Sequence, residues 1–587
     1  MERNLNWFVK LSLLGILMGG VGTVAAEILL RLINVTTNLA FYHRLSFEVA
    51  SPAGNSLGLS VIMLPVIGGI LVGLMARYGS KAIRGHGIPE AMEQIWLNRS
   101  RISPTVTLLK PLSSAVSIGT GGPFGAEGPI IATGAALGSL LGQFFSMTSN
   151  QRKTLLACGA AAGMTAIFGT PVAAVLLAIE LLLFEFSIRS LVPVAFATGC
   201  AAILRVTLHG IVPLFAIAPI THVTSSSLPI YAIVGALVGV AAVGVTRAVY
   251  LVEDGFEKLP IHWMWWPALG GIVVGIAGYF DSRSLGVGYE NITGILTGSF
   301  TTQAILALGF WKFISWVTAL GSGTSGGTLA PLLTFGGALG ALCGILANHL
   351  FPALEINISI AAAVGMAAMF AGASRAFLTS VVFLLEITHE PQLLLPCLVG
   401  CALACAASYL LMRNTIMTEK IARRGTPIPH HYEADIYRHT PCVEAMETEI
   451  LTLPADFTVR NLAARIADSA DPASRLHAFP IVNEKGLLTG IISRGDLFRA
   501  IDLGNSDVSV MEAGSTELIT VFPDQMLHDA WKKILHHDVG RLPVVSRENP
   551  QKLLGMLFRR SFLSVRARML NEEHEAERGW LTPKKAG

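Results

Sequence analysis

The chain has 587 residues, of which 52% are hydrophobic and 14% are charged, and its mean hydropathy is +0.59. This composition excludes a string of soluble domains and indicates a polytopic membrane protein with the lipid bilayer as its surroundings. The formal net charge of +3 is small, and no nucleic-acid partner is expected. The seven cysteines lack the spacing of metal ligands, so neither a metal nor a required cofactor is expected.

The N-terminal segment predicts a first membrane helix. Charged residues within Met1–Lys10 precede an apolar run to about Leu30, which is long enough to span a bilayer and has no convincing cleavage site. A basic loop follows at about residues 77–101, and further basic residues come after residue 413. Positive charges accumulate on the cytoplasmic side of membranes, so we expect both segments on that side.

Glu127 is the only charged residue between Leu112 and Phe145. A carboxylate at membrane depth is costly to desolvate, and it is therefore a candidate functional residue. Pro129 suits the first position of a helix, and the glycines before it allow close backbone approach. We expect the Glu127 carboxylate at the positive N-terminal end of a helix, where anions are favoured.

The membrane segment is predicted to be an internal duplication. Pro65–Gly73 matches Pro267–Gly275 at an offset of 202 residues. The same offset relates Pro129 and Gly134 to Pro331 and Gly336, and Gly163, Met164 and Phe168 to Gly365, Met366 and Phe370. We predict repeats at about 60–200 and 262–400 inside a membrane domain of residues 1–425. Transporters are commonly built from two such halves, with the binding site where broken helices meet near mid-membrane.

Three glycine-rich loops end in a proline, at Gly85–Pro89, Gly125–Pro129 and Gly327–Pro331. Each is expected to leave unpaired N–H groups at the positive end of a helix. Three such ends that converge form an anion site without a full positive charge, which permits release as well as binding. One loop alone is explained as well by helices that break and pack closely.

The three loops resemble, in order and separation, the GSGIP, GREGP and GxFxP motifs of the CLC chloride channel and transporter family. Phe168–Glu180 and Ser374–Glu386 resemble the helices that follow in each half. The resemblance covers about residues 10–425. It implies a polytopic α-helical membrane protein with two inverted repeats of tilted and broken helices. It also implies a homodimer with one anion pathway in each subunit.

The resemblance assigns roles to particular residues. Glu127 is implied to be the gating glutamate, which competes with anions for an outer site and carries protons in the exchangers of the family. Backbone amides near Gly87, Ile88, Thr328 and Leu329 are implied to coordinate the permeant anion.

Four positions depart from the family pattern. His86 stands where a serine lends its hydroxyl to the anion, so we expect either a pore-facing imidazole or one bonded to backbone. Leu181 stands where exchangers carry an inner proton-accepting glutamate, and Glu180 beside it points about 100° away and is read as structural. Met417 replaces a tyrosine at the inner end of the anion site, and Ala126 replaces a basic residue beside the gate.

The missing inner acid and tyrosine favour a glutamate-gated anion channel with weak or no proton coupling. Chloride is the expected anion, with nitrate or fluoride left open by His86. The alternatives are a chloride/proton antiporter and a membrane sensor that signals through its C-terminal domains. Because no nucleophile–base pair or phosphate loop accompanies Glu127, no enzyme is expected.

The segment 437–565 contains a second, shorter duplication. Ala478–Val482 and Gly490–Asp496 are matched by Arg541–Val545 and Gly555–Ser561. Each unit predicts a strand, a turn, a strand and a helix, with an amphipathic helix before them. The pattern resembles a pair of CBS domains, at about 437–502 and 507–565, before a charged tail (566–587) expected to be a solvated helix or disordered.

The CBS resemblance implies a nucleotide site in the first unit only. Ser493 and Asp496 fit a Ser/Thr-x-x-Asp motif that holds a ribose, whereas the second unit has Phe558 and Ser561. Adenine-nucleotide binding is therefore left open beside a dimerising role. We expect the protein in a bacterial inner membrane, with the CBS pair in the cytoplasm.

Overall fold

The computed structural model describes residues 2–145, 147–218, 220, 223–424, 437 and 439–577, and it describes side chains between residues 7 and 568 of those ranges. The chain divides into a membrane unit up to Tyr432 and a C-terminal unit from Glu433 to Arg578. The predicted ends of the two domains, near residues 425 and 437, border on 425–436, which lies outside the described residues.

The membrane unit is helical, and its helices fall into two successive sets of eight. The first set is α1 (Glu2–Tyr42), α2 (Met63–Tyr78), α3 (Ile88–Leu97), α4 (Pro104–Gly119), α5 (Glu127–Phe144), α6 (Ser149–Phe168), α7 (Pro171–Leu177) and α8 (Ile188–His209). The second set is α9 (Leu228–Glu257), α10 (Trp266–Phe280), α11 (Tyr289–Leu296), α12 (Thr302–Gly321), α13 (Leu329–Leu350), α14 (Ile358–Ser374), α15 (Phe377–Thr388) and α16 (Leu394–Leu411). A short helix, α17 (Glu419–Arg423), follows.

Length and apolarity make this unit a multi-pass membrane protein. Within the described ranges, eight helical segments are long and apolar enough to cross a bilayer. The helices α3, α7, α11 and α15 are short, as expected for broken pieces that end inside the protein.

Equivalent helices of the two sets make equivalent contacts. Helix α1 packs against α6 and α8, and α9 packs against α14 and α16. Helix α5 packs along α6, and α13 packs along α14. The correspondence therefore includes α1 and α9, which extend beyond the predicted repeats of about 60–200 and 262–400.

Reciprocal contacts relate the halves by an approximate two-fold axis. A Cβ on Gly69 would overlap the carbonyl of Pro267, and a Cβ on Gly271 would overlap the carbonyl of Pro65. The two contacts are equivalent, because Gly271 is the repeat counterpart of Gly69 and Pro267 is that of Pro65, each at the offset of 202 residues. Because only glycine allows this approach, α2 and α10 cross with their backbones nearly touching. The fold is that of two inverted repeats.

The register of the repeat changes after α5 and α13. Gly134 of α5 packs against the carbonyl of Gly159, and Gly336 of α13 packs against the carbonyl of Gly365. Gly159 is thus the structural counterpart of Gly365, at an offset of 206 rather than 202. The predicted match of Gly163 with Gly365 is wrong in register. Helix α13 has 22 residues and α5 has 18, so the extra turn of α13 explains the four-residue change.

The C-terminal unit contains two small sheets with matching register. Strands β1 (Leu453–Pro454) and β2 (Ala478–Val482) are parallel, and β2 pairs antiparallel with β3 (Leu488–Ser493). In the second sheet β4 (Arg541–Val545) pairs antiparallel with β5 (Leu553–Phe558). The pair Ala478–Ser493 corresponds to the pair Arg541–Phe558, as the sequence duplication predicts.

The helices of this unit cover the sheets and enclose two apolar cores. They are α18 (Val459–Ala467), α19 (Arg494–Asp502), α20 (Val510–Ala513), α21 (Leu527–His536) and α22 (Arg559–Glu577). Helices α18 and α21 occupy the predicted amphipathic segments. Helix α22 carries much of the predicted charged tail as helix, and residues 578–587 lie outside the described residues.

Candidate functional site

Glu127 lies at the first position of α5 and is 1% exposed. Its Oε1 accepts a hydrogen bond of 2.6 Å from the backbone N–H of Ala330, near the N-terminus of α13, and the Leu329 amide also interacts with the carboxyl group. The carboxylate thus binds the helix end of the other half, whereas the sequence placed it only at the start of the helix that Pro129 begins. Its Oε2 is buried and has no hydrogen-bond partner among the described residues.

Thr328 and Leu329, predicted to bind the anion, lie at this same helix end. Thr328 precedes the first turn of α13, Leu329 begins it, and both are buried. The N-terminus of α13 offers free N–H groups and a positive dipole end, which is a general anion site. In this structure a carboxylate of the protein itself occupies it.

The prolines of the three loops lie slightly further into their helices than expected. Pro129 and Pro331 are the third residues of α5 and α13, and Pro89 is the second residue of α3. Proline costs nothing there because the N–H groups of the first turn have no partner inside the helix. The loops also meet directly, since Gly327 donates its N–H to the carbonyl of Gly125 at 3.0 Å.

His86 is 4% exposed and lines a cavity of about 680 Å³. The imidazole interacts with the backbone of Ile416, and its Nδ1 has no hydrogen-bond partner in the described part of the chain. The two sequence readings of His86 are therefore not exclusive, because the ring faces a cavity and also contacts backbone.

The N-terminus of α3 carries the predicted anion contacts Gly87 and Ile88. Gly87 donates its N–H to Glu90 Oε2 at 2.7 Å, and Glu90 Oε1 in turn accepts from Lys420 Nζ at 2.8 Å. The Gly87 amide is thus occupied by a side chain of its own helix rather than offered to an anion. Ile88, the first residue of α3, is buried beside it.

Met417 is fully buried before α17 and presents no hydroxyl, as the sequence indicated. A hydroxyl reaches the same segment from elsewhere, because Tyr250 of α9 donates to the carbonyl of Ile416 at 2.9 Å. Tyr250 and His86 line the same cavity. The sequence gives no sign of this role for Tyr250, since nothing local in α9 connects it with residue 416.

Two buried lysines were also missed. Lys110 of α4 donates to the carbonyls of Ile83 and Gly85, each at 2.8 Å, and Lys312 of α12 donates to the carbonyl of Gly286 at 2.7 Å. Both side chains are buried, and their offset is 202. A lysine at matching places in two apolar segments was the available signal. Each lysine holds the loop before the short helix of its own half.

Lys312 also provides a positive charge near the gate. Its ammonium group interacts electrostatically with Glu127. Ala126, which replaces a basic residue of the family pattern, is buried before α5 and offers no charge. The second half therefore brings a basic side chain into the electrostatic surroundings of Glu127, whereas residue 126 of the first half offers none.

Glu180 acts as a helix cap. Its carboxylate accepts from the N–H of Leu378 at 3.0 Å and from the N–H of Thr379 at 2.9 Å, at the start of α15. Glu386 accepts from the N–H groups of Val172 and Ala173 at 3.0 and 2.8 Å, at the start of α7. The two caps are equivalent, because each acid and each amide of one cap has its counterpart in the other at the offset of 206 residues. The structural reading of Glu180 agrees with this geometry.

Leu181 is 4% exposed and brings no acid to the interior. It lies in a π-helical turn, Ala178–Leu183, that continues α7, whereas α15 continues as regular α-helix. The left-handed residues that end the two helices, Phe184 and His389, are 205 residues apart, whereas Glu180 and Glu386 just before them are 206 apart. The π turn of the first half therefore contains one residue more than the matching turn of α15. Such turns recur at functional sites, and this one lies at the altered position.

In the C-terminal unit, Ser493 and Asp496 bond to each other. Asp496 Oδ2 accepts from the N–H and the hydroxyl of Ser493 at 3.0 and 2.7 Å, which forms a capping box at the start of α19. Ser561 in the second unit accepts from the N–H of Phe558 at 3.1 Å. Cys442 lies in the apolar core that also contains Phe562, and burial raises the pKa of its thiol to about 12.

With this geometry in place, two family models match the chain. The model described as voltage gated chloride channel matches residues 67–409, and the CBS domain model matches residues 442–503 and 510–568. The chain therefore belongs to the voltage-gated chloride channel family, CLC, and carries two CBS domains.

Individual relatives are more distant. The chain is 28% identical over 367 residues to the putative chloride channel protein ClcB-like of Ralstonia nicotianae, covering 62% of this chain and 85% of that protein. It is 29% identical over 429 residues to the H(+)/Cl(-) exchange transporter ClcA of Yersinia pseudotuberculosis. This match covers 71% of this chain and 85% of that protein. The crystal structure of a eukaryotic CLC transporter matches with a TM-score of 0.62 and 19% identity, covering 95% and 98%. That last likeness concerns the fold.

Proposed function

We propose that this protein moves a small inorganic anion, with chloride first, across the membrane in exchange for protons. The observation that carries the proposal is the hydrogen bond from the Ala330 N–H to Glu127 Oε1. A carboxylate that occupies an anion site must leave it before an anion enters. Away from the α13 amides the ionised form is costly in an apolar interior, so departure favours protonation.

The exchange reading was the alternative in the sequence analysis, and it now comes first. Among the relatives, ClcA of Yersinia pseudotuberculosis is described as an H(+)/Cl(-) exchange transporter and has the longer matched region of the two reported relatives. The other is described as a putative chloride channel protein. Leu181 supports this second candidate, a glutamate-gated channel, because no acid stands at the inner position.

One experiment separates the candidates. Purified protein in liposomes is given a chloride gradient, and chloride efflux and internal pH are recorded together. Proton movement against its own gradient, driven by chloride, is expected and would exclude the channel. Anion flux without proton movement would contradict exchange and favour the channel. Absence of any flux would leave the membrane-sensor reading.

The permeant anion is tested in the same liposomes. Chloride, nitrate and fluoride are compared in the natural protein and in His86→Ser, which restores the family hydroxyl in the lining of the cavity. We expect the order of rates to change in the variant, because an imidazole and a hydroxyl donate from different distances. An unchanged order would remove His86 from the anion path.

Orientation, assembly and nucleotide binding are part of the proposal. Lys81 and Arg84 line the same cavity as Lys420 and Arg423, which supports a cytoplasmic position for this end of the membrane unit. We propose a homodimer in a bacterial inner membrane with the CBS pair in the cytoplasm. Adenine nucleotide at Ser493 and Asp496 would have to replace their mutual hydrogen bonds, and ATP titration followed by calorimetry tests it.

A further inference from the structure

The sequence did not reveal a cavity of about 680 Å³ in the membrane unit. His86 lines it together with Lys420 and Arg423 of α17. Tyr250 and Glu253, which are three residues apart on α9, both line it. Residues with this spacing share one helix face, so the last turns of α9 form a continuous wall of the cavity.

Three acids of α9 lie on this wall, and only one is both shielded and uncommitted. Asp254 is ion-paired with Arg423. Glu257 is exposed. Glu253 is partly buried, and no hydrogen bond or ion pair holds its carboxylate in the part of the chain that the structure describes. A partly shielded carboxyl without a bonded partner is free to take up and release a proton.

The acids nearer to the usual inner position cannot serve this purpose. Leu181 is apolar, and the carboxylate of Glu180 accepts hydrogen bonds from the amides of Leu378 and Thr379. Glu90 is held by Gly87 and Lys420. Each of these acids stabilises a helix end as a carboxylate, and protonation would break those bonds.

The charges that face Glu253 come from three elements. Lys420 and Arg423 belong to α17, Arg84 belongs to the loop before α3, and Glu257 lies one turn further along α9. Lys420 is already bonded to Glu90, and Arg423 to Asp254 and Glu419. The surrounding cations therefore moderate the charge of Glu253 without forming a salt bridge that would fix it.

His86 connects the cavity lined by Glu253 with the segment that holds Glu127. Its side-chain Nδ1 has no hydrogen-bond partner among the described residues. The carbonyl of His86 touches Gly128, so close that a Cβ there would overlap it, and Gly128 follows Glu127 directly. The gate and the cavity are thus separated by one layer of backbone at the contact of α3 and α5.

We propose that Glu253 loads protons on the α17 side, in the place of the acid that is missing at Leu181. Its carboxylate takes a proton from water at the cavity mouth and becomes neutral. It then passes the proton through cavity water past His86 to Glu127 and returns to the carboxylate form. This inference rests on the proposed anion/proton exchange and identifies the residue through which protons enter the path to Glu127.

The test compares Glu253→Gln with Glu257→Gln in the full-length protein. Chloride and proton fluxes are measured in the same liposomes, so that their ratio is independent of the amount of active protein. We expect the proton-to-chloride ratio of Glu253→Gln to fall about tenfold or more while chloride flux persists, because a neutral amide cannot accept a proton. Glu257→Gln removes the same charge one turn away and should keep the natural ratio.

Glu253→Asp provides a rescue, since it retains a carboxyl group at this place and should recover most of the proton flux. An unchanged ratio in Glu253→Gln, with proton transport intact in the natural protein, would overturn the inference alone. A natural protein that moves chloride without protons would overturn the exchange function and this inference together. Equal losses in the Glu253 and Glu257 variants would assign the effect to cavity charge and also contradict the proposal.

Discussion

The two halves of the membrane unit share a scaffold and differ in chemistry at the helix ends that meet. Helix α5 begins with Glu127, and α13 begins with Leu329 at the corresponding place. Both helices start after a glycine loop, and the loops bond to each other at Gly125 and Gly327. One half thus supplies the carboxylate, and the other supplies the amides that bind it.

This difference shows how a duplicated fold produces a one-sided site. The positions that must match across the two-fold axis are glycines, caps and buried lysines, because they fix backbone geometry in both halves. The positions that differ, such as Glu127 with Leu329, lie where the halves face each other. The residues that match between the halves fix the backbone, and the residues that differ form the candidate anion site.

The largest effect is expected from Glu127→Gln. The amide has the size of a protonated carboxyl but cannot ionise, so competition with anions at the α13 end should lose its dependence on pH. Proton-coupled transport should fall to background, and the pH dependence of chloride flux should vanish. Both are measured in liposomes over a series of pH values.

The control for this variant is Glu355→Gln, which neutralises an exposed acid in the loop between α13 and α14. Its fluxes should equal those of the natural protein. Persistent pH dependence in Glu127→Gln would transfer the gating role to another group, and His86 would be the first to examine.

The next effect concerns the paired glycines Gly134 and Gly336. Alanine at either place would overlap a carbonyl of the neighbouring helix, and overpacking of this kind costs about 1–3 kcal/mol. We expect both variants to lower the thermal unfolding midpoint in detergent by similar amounts. Gly244→Ala of α9, which meets no atom within 4 Å, should leave it unchanged or raise it. A loss in only one of the pair would show that the halves do not share this packing.

A smaller effect is expected at the reciprocal caps. Glu180→Gln and Glu386→Gln each weaken two charge-assisted hydrogen bonds at a helix N-terminus, at a cost of about 1–2 kcal/mol. Thermal unfolding should show similar losses, with Glu180→Gln slightly the larger because it also accepts from the Thr379 hydroxyl at 2.6 Å. A selective loss of proton flux in Glu180→Gln would reveal a transport role that the symmetry argument denies.

The smallest effect extends the comparison to the C-terminal repeats. Ser493→Ala removes the cap of α19, and Ser561→Ala removes an acceptor for the Phe558 N–H, each costing about 1 kcal/mol. Denaturant unfolding of the C-terminal unit within the full chain measures both, with exposed Ser469→Ala as the control. A much larger loss at Ser561 would point to its burial rather than to capping.

The sequence predicted helix ends and the residue types at them better than the partners of those residues. Glu127, the glycine loops and the two CBS-like units follow from local composition and spacing. The predicted alignment of the two halves after α5 was wrong, because residues 202 apart happen to match in sequence there, whereas the structurally equivalent residues are 206 apart. The π turn at Leu181 and the caps by Glu180 and Glu386 were not predictable in detail, since they depend on helices about 200 residues apart.

The sequence by itself determined the class of the protein, the duplication, and a single acid beside glycine-rich helix starts. These are properties of neighbouring residues, and desolvation cost and helix geometry act locally. Only the tertiary structure decided that Glu127 binds the Ala330 amide, that Tyr250 reaches Ile416, and that Glu253 and His86 line one cavity. Those contacts arise from the packing of two halves across an axis, which no local pattern of residues specifies.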